Sequence, residues 1–175
     1  MIESRSGLIA RSMIVLLSVA VCSCQKQNQP SRVELVSGVR SNQTQMQVKT
    51  LTSLGNYHWQ IQYDSTYVPR GDSLAKRRWT GVRIDGYVEL GVKGNLVLSF
   101  ENDRLISTFF YPEDLKEFLK NFAFVRGVEL KSVWSQVSIN GCIVGWGQNP
   151  DLGDSVFWHD ANLVEESNAW VSRYE

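Results

Sequence analysis

In Tyr57-His-Trp59-Gln-Ile61-Gln-Tyr63, four large apolar side chains fall on one side of an extended chain and His58, Gln60 and Gln62 on the other. That period of two is the signature of a half-buried β-strand, and its recurrence constrains the fold more than any other feature. Val82, Ile84, Val88 and Leu90 repeat it, with Arg83, Asp85 and Glu89 between them and Gly86 placed for a bulge. Leu96, Leu98 and Phe100 run through the turn-rich Glu101-Asn102-Asp103-Arg104 to Ile106, Thr108 and Phe110, which reads as a hairpin. Residues 133–139 and 142–146 flank Asn140-Gly141 and form a second hairpin, because Asn-Gly supplies the positive φ angles of a type I′ turn. Residues 147–155 read as a Gly/Pro/Asp loop and 156–158 as a short strand. Strands with one polar face belong to antiparallel sheets, since parallel strands buried on both faces read as continuous apolar runs.

The period changes after Pro112. Leu115, Phe118, Leu119 and Phe122 are spaced i, i+3, i+4, i+7, with the proline at the expected first turn and two acids near the positive helix end. Asp160 is placed to cap a last helix carrying Leu163, Val164, Ala169, Trp170 and Val171. Neither an apolar helix stripe nor a sheet face is stable alone in water, so the two are expected to pack together. The expected fold is α+β, mainly antiparallel sheet with one or two helices, the alternative being a small β-barrel with a C-terminal helix. Residues 42–54 satisfy both periods. Met46, Val48, Thr50 and Thr52 alternate, whereas Val48, Leu51 and Leu54 make a helical stripe ending at Gly55; the reading adopted is strand.

Composition sets the outer bounds. The 175 residues are 43% hydrophobic and 11% aromatic, with 18 Lys+Arg against 18 Asp+Glu, as a packed globular chain requires and a disordered one lacks. A nucleic-acid-binding domain carries clustered cations and a pI above about 9. Here the pI is 6.7, so nucleic acid is not among the expected partners.

The N-terminus carries an address. Arg5 and Arg11 precede an almost wholly apolar run over residues 12–21, about half of the roughly 20 residues needed to cross a bilayer. A positive n-region followed by a short h-region is an export signal. It ends in Val21-Cys22-Ser23-Cys24, which resembles the bacterial lipobox: an aliphatic residue at −3, a small residue at −1, then the acceptor cysteine. The resemblance implies lipidation at Cys24, with Cys22 the second choice because it would put Val21 at −1. It further implies a bacterial lipoprotein, and Gln25 rather than Asp after the cysteine implies outer-membrane sorting in a Gram-negative cell. A secreted or periplasmic protein is the alternative. Cleavage before Cys24 removes Arg5, Arg11 and Glu3 and turns the balance into 16 basic against 17 acidic residues. The organisation expected is a signal peptide at 1–23, a lipidated cysteine with a polar tether at 24–31, and a single globular domain at 32–175. With Cys24 acylated, Cys142 has no disulfide partner. A helix within 42–54 followed by the strands and the 96–111 hairpin would resemble the small outer-membrane assembly lipoproteins of the SmpA/OmlA type.

Chemistry is announced faintly. Cys142 has only His58 and His159 as possible bases and sits in an apolar strand context, so it reads as a packed thiol. His159 and Asp160 are adjacent and would face opposite ways on a strand. No zinc-ligand spacing is present, and Asp151 and Asp154 lack the rest of a calcium loop, so neither a metal nor a cofactor is expected. The candidate binding residues are Lys76, Arg77, Arg78 and Trp79, three cations beside an indole, and Trp134, read as an outward aromatic. The bland readings are an edge strand protected by charge and an indole buried under a helix. The favoured expectation is a lipid-anchored, non-enzymatic module that binds an envelope protein or polysaccharide. The alternatives are a periplasm-facing hydrolase using carboxylates such as Asp85, Glu89 or Asp103, and a barrel enclosing an apolar ligand.

Overall fold

Two-residue turns set the register of the sheet. The computed structural model describes residues 32–51, 54, 56–68, 76–149 and 152–174. The segments expected to be signal peptide and tether, with Cys22 and Cys24, and also Gly55 and Asp151, lie outside them. Strands β1 (Trp59–Tyr67), β2 (Arg77–Glu89), β3 (Val92–Glu101) and β4 (Arg104–Pro112) run in antiparallel sequence. Leu90-Gly91 joins β2 to β3 with φ of 49° and 80°, and Asn102-Asp103 joins β3 to β4 with 49° and 61°. Both are tight turns of the type that matches strand twist. Gly86, at φ 70°, sits where the β2–β3 register slips, as a bulge requires.

After β4 the chain forms α2 (Leu115–Arg126), then β5 (Gln136–Ile139), β6 (Cys142–Asn149), β7 (Gly153–Asp160) and α3 (Ala161–Tyr174), an earlier short helix, α1, occupying Gln45–Lys49. Strand β7 pairs with β4, giving the order β1-β2-β3-β4-β7-β6-β5. The sheet is open. Its edges, β1 and β5, do not pair with one another, so the barrel alternative is wrong. The fold is α+β, an antiparallel sheet with three short helices among the described residues.

Partners in register point to the same side. Val82 with Leu98, Ile84 with Leu96 and Phe110, and Val156 and Trp158 with Val144 across β6 therefore define one core face. Helix α2 covers it. Asp114, not Pro112, begins the helix: its carboxylate accepts from the Glu117 amide at 2.9 Å, while Pro112 closes β4. Gly127 ends the helix at φ 68°. Phe118 and Phe122 are buried, with Phe118 ring centroids 5.2 Å from Phe110 and 6.2 Å from Trp158.

The N-terminal segment seals the same face, and it corrects the strand reading of residues 42–54. Helix α1 is closed by a capping box in which Thr44 and Gln47 satisfy each other's amides. Met46 is 78% exposed while Val48 is buried, a separation of i and i+2 that a helix makes and a strand does not. Ser41 Oγ then bonds Asp160 Oδ2 at 2.6 Å, fastening this segment to the start of α3.

Three further expectations change. Strand β6 continues to Asn149 and β7 begins at Gly153, so most of the expected 147–155 loop is ladder. Gly147 reads as a loop residue because it lacks a side chain, yet the Trp134 ring fills the space above it. Trp134 has φ 65°, in the left-handed region that a regular strand excludes for a side-chain-bearing residue, and lies in the turn before β5. Ile61, expected inward with Trp59, is 66% exposed because β1 is an edge strand. Asp160, as expected, caps α3, accepting from the amides of Asn162 and Leu163 at 3.0 and 3.2 Å.

Candidate functional site

The strand alternation of β2 divides the cationic segment at 76–79. Lys76 is exposed. Arg77 turns inward to a buried ion pair with Glu101, and its guanidinium lies 4.7 Å from the Trp170 ring centre. Arg78 points the other way and holds Asp64 through two nitrogens. Trp79 packs edge-on to Trp170 at 6.1 Å, and Arg104 reaches Glu166 at 2.9 Å in the same cluster. Cations and carboxylates therefore balance here, and α3 covers this end of the sheet face opposite α2. Trp134 is at the other side of the molecule, beside β6. The structure does not bring the two candidates together.

The rest of that second face is uncovered by α3 and carries a line of polar and aromatic groups. Arg83 Nε donates to Asp85 Oδ1 at 2.6 Å. The hydrogen-bonding pattern orients the Asn95 amide so that its nitrogen donates to Asp85 and its oxygen accepts from Arg83 Nη2, both at 3.0 Å. Asn95 is in register with Tyr111 on β4. The Ser155 hydroxyl on β7 bonds the Tyr111 phenol, and burial raises that phenol above its ordinary value. Ser155 is in register with Gly147 on β6, and the Trp134 ring occupies the space above Gly147: a β-carbon there would stand 2.6 Å from it. Trp134 stays 63% exposed. The strip thus crosses β2, β3, β4, β7 and β6, four interstrand steps of about 4.8 Å, or roughly 19 Å.

A depression of about 250 Å³ opens within this strip, floored by Val97 and bounded by Arg83, Asn95, Tyr111 and Leu152. Small-molecule clefts usually occupy about 300–1,000 Å³, so the hollow suits one unit of a longer ligand. Beside it, Tyr63 folds over Gly81 and shares a 2.7 Å hydrogen bond with Ser99. His159 stacks on Phe157 at 4.7 Å and bonds Ser107 at 2.7 Å, and burial pushes its pKa down to about 4. A neutral imidazole held this way adds a flat apolar surface.

The groups weighed for catalysis occupy separate places. Asp85 belongs to the strip. Glu89, on the far side of the Gly86 bulge, is buried and accepts from Ser37 at 2.7 Å and Tyr87 at 3.1 Å, burial raising its pKa. Asp103 lies in the β3–β4 turn and accepts from the Gln45 amide. Burial drives the Cys142 thiol up to about 12, far from a reactive thiolate. His58 is exposed at the foot of β1, and Asp154 is half-buried in β7. Among the described residues no three His, Cys, Asp or Glu side chains gather around one point as a metal site requires.

Sequence reasoning singled out Trp134 but not Arg83, Asn95, Tyr111 or Leu152 as binding residues. For Arg83, Asn95 and Tyr111 the signal was available in the turns: pairing the strands about Leu90-Gly91 and Asn102-Asp103 brings the polar positions next to Ile84, Leu96 and Phe110 onto one face. No protein-family model matches the chain, and no curated protein shows significant similarity to it.

Proposed function

We propose that this chain is a lipid-anchored protein of the bacterial envelope, and that it binds a stretch of envelope polysaccharide along the open sheet face. The anchor reading rests on the apolar run at 12–21 and the Val21-Cys22-Ser23-Cys24 sequence. The binding reading rests on one observation: the strip from the Arg83–Asp85–Asn95 triad through Tyr111 to Trp134. Arg83 and Asp85 cancel each other's charge, so the triad offers donors and acceptors without a net field. That suits an uncharged ligand rich in hydroxyls. Trp134 and Tyr111 supply flat rings of the kind that stack on sugar faces. An extended strip with a small hollow fits a polymer, which engages several subsites at once.

Two measurements on the full chain extracted from membranes test this. Intact mass reports whether Cys24 carries a diacylglyceryl group. Co-sedimentation with purified envelope polysaccharide and peptidoglycan is expected to retain the native chain. Trp134→Ala and Asn95→Ala should each release it severalfold, while Arg78→Ala, on the opposite face of β2, should not. Equal retention of all four proteins, or retention of none, removes the binding reading.

A further inference from the structure

Phe124 is 90% exposed and Val125, next to it, 57%, near the C-terminal end of α2. The helix buries Phe118 and Phe122 against the sheet, so a residue two positions beyond Phe122 projects away from the core. Nothing in the fold requires apolar side chains at this tip. Cations flank it: Lys120 one turn earlier, Arg126 immediately after, and Lys131, which lines the same crevice as Lys120. Glu34, Glu117 and Glu129 are nearby acids, so the three cations are matched in number while Lys120 and Arg126 still border the apolar pair directly.

The first described residues of the chain lie beside the same helix. Val33, Glu34 and Leu35 line a crevice together with Phe122 and Arg126, so the chain enters the folded unit next to the C-terminal half of α2. From Cys24 to Ser31 there are only eight residues, and eight residues reach at most about 28 Å when fully extended. An acyl group at Cys24 would therefore keep this end of the unit close to the bilayer.

We infer that the Phe124–Val125 tip of α2, with its flanking cations, is the surface by which the anchored domain rests on lipid. An aromatic and an aliphatic side chain enter the headgroup boundary while Lys120, Arg126 and Lys131 keep their charges among phosphates. Two apolar residues are too few to hold a free domain on a membrane. A short tether changes that by presenting the membrane at millimolar effective concentration. The inference rests on the anchor half of the proposed function and not on polysaccharide binding.

The test replaces Phe124 with p-benzoylphenylalanine in the full chain, produced in a Gram-negative host and illuminated in isolated envelope membranes. Because Phe124 is exposed, the probe leaves the core untouched. Intact mass then reads two things from one spectrum, the acyl group at Cys24 and any photoadduct. The expected result is an acylated chain carrying phospholipid adducts severalfold more abundant than those of an Ile61→p-benzoylphenylalanine control on β1. An acylated chain whose Phe124 probe captures protein, or yields no more lipid adduct than the Ile61 control, overturns the inference and leaves the anchor standing. A chain without the acyl group overturns both, and the same spectrum shows that it was the anchor that failed.

Discussion

Single side chains decide what chemistry this molecule has available. Burial raises the Cys142 thiol to about 12, so at neutral pH it is almost wholly protonated. The Cys142 peptide should remain unmodified by iodoacetamide in the folded protein and react only in denaturant, as peptide mapping would show. His159 and Glu89 give the stability curve opposite slopes. His159 titrates near 4 when folded against 6.5 when unfolded, so the unfolded chain takes up its proton first as pH falls. Stability from this residue is present above 6.5 and is lost toward 4, about 3 kcal/mol once complete. The Glu89 carboxyl has a folded pKa raised above 4.5 by burial, so its contribution is greatest below 4.5 and falls as pH rises through the folded value. Urea midpoints measured from pH 4 to 7 should lose their acid-side decline in His159→Gln. In Glu89→Gln the fall on the higher-pH side should flatten instead. These residues were visible in the sequence as types, but not as environments. His159 meets Ser107 only because β7 pairs with β4, and Asp160 meets Ser41 only because the N-terminal segment folds back onto the start of α3.

At the scale of elements, the strands and α2 were legible because each carries one dominant period. Leu96, Leu98 and Phe100 cannot be read as a helix stripe, and Leu115, Phe118, Leu119 and Phe122 cannot be read as a strand. Helix α1 was not legible from its apolar residues, which satisfy both periods; Thr44 and Gln47, three apart, were the discriminating pair. The extent of β6 and β7 was hidden because Gly145 and Gly147 look like turn residues until the rings of Phe157 and Trp134 are seen lying over them. The sheet-facing stripe of α2 leads to a quantitative expectation. Phe118→Ala removes a fully buried ring from between Phe110, Phe122 and Trp158, and should cost about 3–5 kcal/mol in denaturant unfolding. The cluster under α3 behaves differently. Glu101→Ala leaves Arg77 buried without that carboxylate and should cost a similar amount, whereas Arg77→Met combined with Glu101→Leu should recover most of it. Recovery in the double variant separates an ion-pair penalty from simple loss of packing.

Across the whole molecule, the sheet is a partition. Helix α2, with its exposed tip and the adjoining chain entry, lies on one face, and the strip from Arg83 to Trp134 lies on the other. A domain resting on lipid through Phe124 and Val125 would therefore turn its polar-aromatic face away from the bilayer, toward the polymer it is proposed to hold. Neither the open sheet edges nor this sidedness could be read from local pattern, since both depend on β7 pairing with β4 across the intervening helix and hairpin. The two surfaces should also be separable by tether length. Effective concentration falls roughly as the −3/2 power of tether length once the tether exceeds the span it must bridge, so doubling the eight residues with Gly/Ser lowers it about threefold. With that insertion between Gln29 and Ser31, lipid adducts at a Phe124 probe should fall by about that factor. Polysaccharide co-sedimentation of the extracted protein should not change, because the strip is complete within residues 83–155. A tether insertion that weakened polymer retention as much as lipid contact would show that the two faces do not act independently.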